Sequence, residues 1–175
     1  MIGPVQSLQS PVRSDRLTFT LFESRLGWMA VVRSAEGLKR VILPQTSKDA
    51  VLAQIGACGI ATEDEGSARS DDLPDRLRRF IDGEPVDFPD SLDMSGTTSF
   101  RQKVWQSTRR IPYGEVKSYL WVARQIGSPK GARAVGQALG ENPYPIVVPC
   151  HRVSQSDGGL GGFGGGLKLK RFLLG

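Results

Sequence analysis

The 175 residues contain two cysteines, Cys58 and Cys150, and one histidine, His151. His151 directly follows Cys150, and the pair lies between Pro149 and Arg152. A cysteine beside cationic groups has a lowered pKa, and its thiolate is the reactive form. In an apolar setting the same residue is an inert packing group, so by type alone Cys150 is either a nucleophile or part of the core. Cys58, within Ile55-Gly-Ala-Cys-Gly-Ile60, reads as a small packing residue. Two Cys and one His supply at most three of the ligands a structural zinc site draws on, and there is no C-x-x-C pair, so no metal site is predicted. A Cys58 to Cys150 disulfide is disfavoured in a reducing cytosol.

Residues 158–166 hold seven glycines in nine positions, and Gly159-Leu-Gly-Gly-Phe-Gly164 formally fits G-x-G-x-x-G. A dinucleotide site also needs a βαβ unit and a downstream acid, for which no room remains before residue 175. No G-K-[ST] is present, which excludes a P-loop. The segment is expected to be a close-approach or mobile loop over a Cys150 pocket, with Phe163 as its one large side chain.

The net charge of +5 is unevenly placed. Residues 1–100 carry 11 Lys and Arg against 15 Asp and Glu, a net −4, whereas residues 101–175 carry 12 against 3, a net +9. Basic charge that dense marks either a polyanion partner, most often nucleic acid, or a solvated basic face. Hydrophobic residues at 39% and charged residues at 23% are ordinary globular values and argue against disorder. No run approaches a membrane span, and residues 1–12 lack the charged start and apolar core of a signal peptide. A soluble, cytoplasmic protein is expected.

Residues 17–22, 28–32 and 38–43 alternate apolar and polar and predict an antiparallel meander. Ser47 can cap a helix over 48–55, residues 61–72 read as an acidic surface loop, and a helix is predicted over 74–81 with Leu77, Phe80 and Ile81 on one side. Residues 82–96, rich in Asp and Pro, read as a linker. They divide the chain into a small α/β unit, 1–95, and a mostly helical unit, 96–175.

In the second unit, Thr98 or Ser99 caps a helix to about 110 with Phe100, Val104, Trp105 and Thr108 inward. Ser118 caps a helix through 126, Gly127 ends it, and Ser128-Pro129 predicts the start of another through about 139. Two helices around such a turn fit either a helix-turn-helix or an ordinary helical hairpin. The second exposes Ala132, Arg133, Ala134, Gly136 and Gln137, small residues around one Arg that allow close approach to a groove. Residues 146–148 are apolar and β-branched and predict a buried strand leading to Cys150. A short basic helix is predicted over 168–174.

Arg133-Ala-Val-Gly-Gln-Ala-Leu-Gly-Glu-Asn-Pro143 and Pro149-Cys-His-Arg-Val153 resemble the O6-alkylguanine-DNA alkyltransferase family. Ile111-Pro-Tyr-Gly-Glu-Val-Lys-Ser-Tyr119 and Gly162-Phe-Gly-Gly-Gly166 fit the same pattern in the same order, over about residues 97–174. The resemblance implies an α+β fold of two domains, the second with a winged-helix-like helix-turn-helix. It implies suicide repair of double-stranded DNA, in which the alkyl group of O6-alkylguanine, and of O4-alkylthymine, moves irreversibly to Cys150 without a cofactor.

By the same resemblance the target nucleotide is flipped into a pocket from the minor-groove side. Arg133 takes its place in the stack, and Ala132, Ala134 and Gly136 lie against the groove. Gln137, Lys130 and Ser118 join the DNA contacts. Tyr119 donates to guanine N3, the backbone of Cys150 and Val153 binds the exocyclic amine, and the Gly164 amide faces O6. Phe163, where many members have Tyr, walls the pocket, and Arg152 is placed with the substrate contacts. Asn142 is the hinge between recognition helix and active-site strand.

Adjacent side chains in an extended segment point to opposite faces, so no direct Cys150 to His151 hydrogen bond is expected; the family uses a bridging water. It also polarises the histidine with a Glu just beyond a Leu-Leu pair. Here Leu173-Leu174-Gly175 ends the sequence before such a residue, which predicts either a truncated chain or activation by His151, backbone dipoles and basic surroundings. Two other classes fit parts of the pattern: a protein that binds alkylguanine without transfer and recruits other repair, and a thiol hydrolase using Cys150 and His151. The protein is expected to be a monomer that can cluster on DNA through its acidic first unit.

Overall fold

The computed structural model describes residues 16–59, 61–64 and 72–175. Residues 1–12, read above for a signal peptide, lie outside them. The fold is α+β. Strands β1 (Leu17–Ser24), β2 (Gly27–Ser34) and β3 (Gly37–Gln45) form the expected meander, with Phe19 opposite Val32 and Val31 opposite Val41. A fourth strand, β4 (Ala61–Glu63), pairs in parallel with β1, giving the order β3-β2-β1-β4. The acidic loop expected over 61–72 is corrected there: three residues are too few to show alternation, and what fixes them is the free edge of β1. Residues 65–71 of that expected loop lie outside the described set.

The period-two pleat sends alternate residues to opposite faces. Phe19, Ala30, Val32 and Ile42 meet Val51 and Ile55 of α1 (Lys48–Gly56). Phe22, Met29, Val31 and Val41 meet Leu73, Leu77, Phe80 and Ile81 of α2 (Leu73–Ile81). The second face is also where the basic part of the chain packs, so its core continues into Val104, Trp105, Val122, Val135 and Val148.

Residues 82–98 run without helix or strand but are fastened to β3. Leu38 donates to Ser91 O and accepts from Asp93 N, each at 2.8 Å. Asp93 is buried and accepts from Ser34 Oγ at 2.6 Å with Lys39 Nζ 3.3 Å away. Burial raises its pKa, but hydrogen bonds from Ser34 and Ser95 and the Lys39 charge overcome this and hold it down to about 2.

Helix α3 (Ser99–Thr108) begins at Thr98, whose hydroxyl accepts from Arg101 N. Its Trp105 Nε1 donates to Ala138 O at 2.9 Å and its ring meets Tyr144 edge-on, fixing α3 against α5. Helices α4 (Tyr119–Gln125) and α5 (Ala132–Gly140) form the helix-turn-helix. The predicted start of α5 at Ser128-Pro129 is corrected by three to four residues. Gly131 N bonds Ser128 O at 2.8 Å, so Ser128 opens a turn, and the helix begins after Gly131.

The strand predicted over 146–148 is also corrected. The segment is buried as expected, but Pro145 and Val148 close a tight turn, and Ile146 takes a φ of 73°. A β-branched residue there is strained; burial of its side chain and the Val148 N to Tyr144 O bond of 2.8 Å hold it. Helix α6 (Leu167–Leu174) ends the chain. No helix among the described residues is long and apolar enough to cross a membrane.

Trp105→Phe is expected to lower unfolding free energy by about 1–3 kcal/mol, because it strands the buried Ala138 carbonyl and leaves a small void. Urea denaturation followed by circular dichroism measures it.

Candidate active site

Cys150–Arg152 form one turn of 3-10 helix, entered from Pro149, with Cys150 N bonded to Val148 O at 2.7 Å. The extended Cys-His segment expected from sequence is thereby corrected: Pro149 and the tight turn before it bring the chain in already curved. The turn passes into β6 (Val153–Ser154), which pairs in parallel with β5 (Lys117–Ser118). That register sets Ser118 opposite Ser154, and Ser118 Oγ caps α4 by accepting from Trp121 N at 3.0 Å. Two residues of strand thus carry Tyr119, the first residue of α4, to the thiol.

A cavity of about 540 Å³ is the result, within the range of about 300–1,000 Å³ usual for small-molecule sites. One side is the helix pair, with Tyr119, Ala132, Arg133, Gly136 and Gln137; Cys150 lies in the wall, and Gly161, Gly162, Phe163 and Gly164 close the far side. Arg133, Ala134 and Gln137 are exposed on α5, whereas Val135 and Ala138 face the core. Gly161 has φ +68°, and a Cβ there would collide with the Tyr119 hydroxyl. Gly136 differs, since a Cβ would meet the Tyr119 ring at an ordinary 3.8 Å.

Cys150 is 7% exposed. Burial pushes its thiol pKa up, while the Asn142 amide and the Lys170 charge pull it down. Burial also raises the Tyr119 pKa, so the phenol keeps its proton at neutral pH. His151 is buried edge-on against Phe80, with centroids 5.7 Å apart, and neither ring nitrogen has a hydrogen-bond partner among the described residues. Burial first, then the charges of Arg152 and Lys170, depress its pKa to about 3, so the imidazole is neutral.

Asn142 Nδ2 donates to Val148 O at 3.1 Å, and its Oδ1 accepts from Tyr144 N at 2.9 Å. It therefore ties the end of α5 to the turn before Cys150. Ser118, Lys130, Ala134, His151, Arg152 and Val153 do not line the cavity. Lys130 is exposed just before α5. Val153 pairs through β6 and buries its side chain in the core. Arg152 turns away: its guanidinium donates to Ile111 O at 2.9 Å and stacks on Phe80 and Tyr113.

Lys170 was not legible as a site residue. It is fully buried, and its Nζ donates to Val153 O at 2.6 Å, Gly162 O at 3.2 Å and Leu160 O, with the Tyr119 ring 5.9 Å away. The signal that could have found it is spacing: position 170 falls three and four residues before Leu173 and Leu174, on the inward arc of α6.

A family model described as the DNA-binding domain of 6-O-methylguanine DNA methyltransferase matches residues 99–175. The methylated-DNA–protein-cysteine methyltransferase of Methanosarcina acetivorans is 37% identical over 156 residues, covering 89% of this chain and 95% of that protein. The chain belongs to the methylated-DNA–protein-cysteine methyltransferase family. The methylated-DNA–protein-cysteine methyltransferase of Mycobacterium tuberculosis is 51% identical over 100 residues, 57% of this chain, and the match spans 60% of that relative's length. The crystal structure of Mycobacterium tuberculosis OGT in complex with DNA is similar with a TM-score of 0.74 and 39% identity, covering 90% of each chain. The likeness to family members covers 89–90% of this chain and so extends beyond residues 99–175 into the amino-terminal part.

The depressed His151 pKa gives this methyltransferase-family chain a pH signature. Above about pH 6.5 the ring is neutral folded and unfolded. As pH falls toward 3, the unfolded chain takes up a proton that the folded one refuses, so stability is lost in that window. His151 is the sole histidine. Urea midpoints measured from pH 7 to 4.5 should therefore fall in the wild type and stay nearly flat in His151→Gln.

Proposed function

We propose that the protein repairs DNA by moving the alkyl group of O6-alkylguanine, and of O4-alkylthymine, irreversibly onto Cys150. The observation that carries this is one cavity walled by a buried thiol, a half-buried phenol and a helix that exposes Arg133. In the transfer step the Cys150 thiolate attacks the alkyl carbon in line with O6. A C–S bond forms, the C–O bond breaks, and its electron pair leaves on the base. Tyr119, which keeps its proton, donates it to guanine N3 as charge develops there. The product cysteine is a thioether, so each molecule acts once, and no cofactor enters the balance.

A base inside a duplex cannot reach a buried thiol, so the nucleotide is flipped into the cavity. Arg133 fills the gap in the stack, and Ala132, Ala134 and Gly136 allow the minor groove to approach α5. Exposed Lys130 and Arg133 meet phosphate and base without a competing acid on that face, and the relative solved in complex with DNA supports this partner.

Thiolate formation is opposed by burial, and we assign its support to Lys170 and Asn142, with His151 as a neutral relay through a water. Burial pulls the Lys170 pKa down and the Cys150 charge pulls it up; its amine donates to three carbonyls and acts on Cys150 through space, as a positioning residue.

Duplex DNA containing O6-methylguanine should leave one methyl on the Cys150 peptide, read by mass spectrometry, with stoichiometric loss of the lesion and none in Cys150→Ala. Tight binding with an unmodified peptide would instead indicate a recruitment protein. Removing a nearby cation raises a thiol pKa. In Lys170→Met the alkaline rise in single-turnover rate should therefore shift to higher pH, and unfolding free energy should drop by about 2–4 kcal/mol as the carbonyls lose their donor. An unshifted pH profile would confine Lys170 to a structural role.

A further inference from the structure

A second compartment, of about 300 Å³, adjoins the first at the thiol. Cys150, Leu139, Gly140, Phe163 and Gly164 line both. Beyond them the second is built from the amino-terminal half: Arg40, Leu43 and Gln45 of the edge strand β3, with Gln54 of α1. Pro145 and Gly165 face them. The two sides are fixed together, since Val41 N donates to Pro143 O at 2.9 Å.

We infer that this sheet edge reads the far end of the O6 substituent, and that it favours an alkyl chain ending in a carboxylate. The inference rests on the alkyl-transfer function proposed above and names a substrate class for it. In-line displacement sets its geometry. With sulfur and O6 on opposite sides of the reacting carbon, the other groups on that carbon lie in the plane across the sulfur–oxygen line. A substituent longer than methyl therefore leaves sideways. With the base in the first compartment and the sulfur in the shared wall, a space beside the thiol must receive it.

The lining sets the preference. Arg40 is the one charged residue among those that line the second compartment, and no carboxylate does. It is half-buried and has no ion pair with another described residue. The amide of Gln54 adds a donor, while Gln45 Nε2 is engaged with Leu43 O at 3.0 Å. A terminal carboxylate would find a cation and an amide there, and no repelling charge. The chemistry stays balanced: the carboxylate is a spectator, and the transferred group ends as an S-(3-carboxypropyl) thioether when a four-carbon chain is used.

Three duplexes test this, carrying O6-methyl-, O6-butyl- and O6-(3-carboxypropyl)guanine. The readout is the ratio of single-turnover rates, carboxypropyl over butyl, taken within each variant. The ratio should exceed one in the unmodified protein and fall about fivefold in Arg40→Gln, the worth of one partly exposed ion pair. It should fall further in Arg40→Glu and return in Arg40→Lys. Gln54→Glu, which leaves Arg40 in place and adds a repelling charge to the same wall, should also lower it. An equal ratio in all five proteins would overturn the inference while methyl transfer left the proposed function intact. Failure of the unmodified protein to transfer methyl would overturn the function itself.

Discussion

The buried ammonium of Lys170 is the contact on which the rest of the site depends. A buried charge costs several kcal/mol unless its surroundings replace water, and here the replacement is three backbone carbonyls. They come from two segments that follow the reactive turn: Val153 directly after it, and Leu160 and Gly162 in the glycine-rich loop. A loop with seven glycines has few side chains with which to build a core of its own, and ordering it costs more backbone entropy than for other residues. One cation therefore does for the loop what packing does elsewhere, and it brings its charge beside Cys150 at the same time.

The helix pair depends on a different economy. Acidic residues of the amino-terminal half are largely matched within it: Asp90 meets Arg76 at 2.8 Å, and Asp93 meets Lys39. In contrast, α5 has no acid within its span, and Arg133 is exposed. Of the two parts of the sequence, the −4 part thus pairs several of its acids with its own basic residues, whereas the +9 part presents Arg133 outward.

What could be read from the residues divides along physical lines. Caps at Ser47, Thr98 and Ser118 are local hydrogen bonds and were legible as such. So was the meander, whose alternation faces two cores. The strand expected over 146–148 failed because apolar β-branched residues record burial but not backbone direction, and Ile146 is buried in a turn. Strand β4 failed because only its neighbour β1 specifies it. Within the site, Cys150, Tyr119, Arg133, Phe163 and Gly164 were assigned from motif order, and they share one cavity. Arg152, assigned by the same motif, does not reach it, because proximity in sequence to a nucleophile carries no information about direction on a 3-10 turn. Lys170 escaped notice because a lysine in a basic terminal helix looks like solvent-facing charge until its arc is drawn.

Phe80 of α2 packs edge-on to His151 and carries Arg152 over its ring. The amino-terminal half therefore supplies the anvil against which the reactive turn is set. Seen as heritable parts, the two halves are not free to be exchanged among relatives. A recombinant joining this catalytic half to a foreign sheet would keep every chemical residue and still lose its footing unless an aromatic ring arrived at the position of Phe80. Selection on the thiol thus reaches back through a phenyl ring into a region that donates no group to the bond-making step.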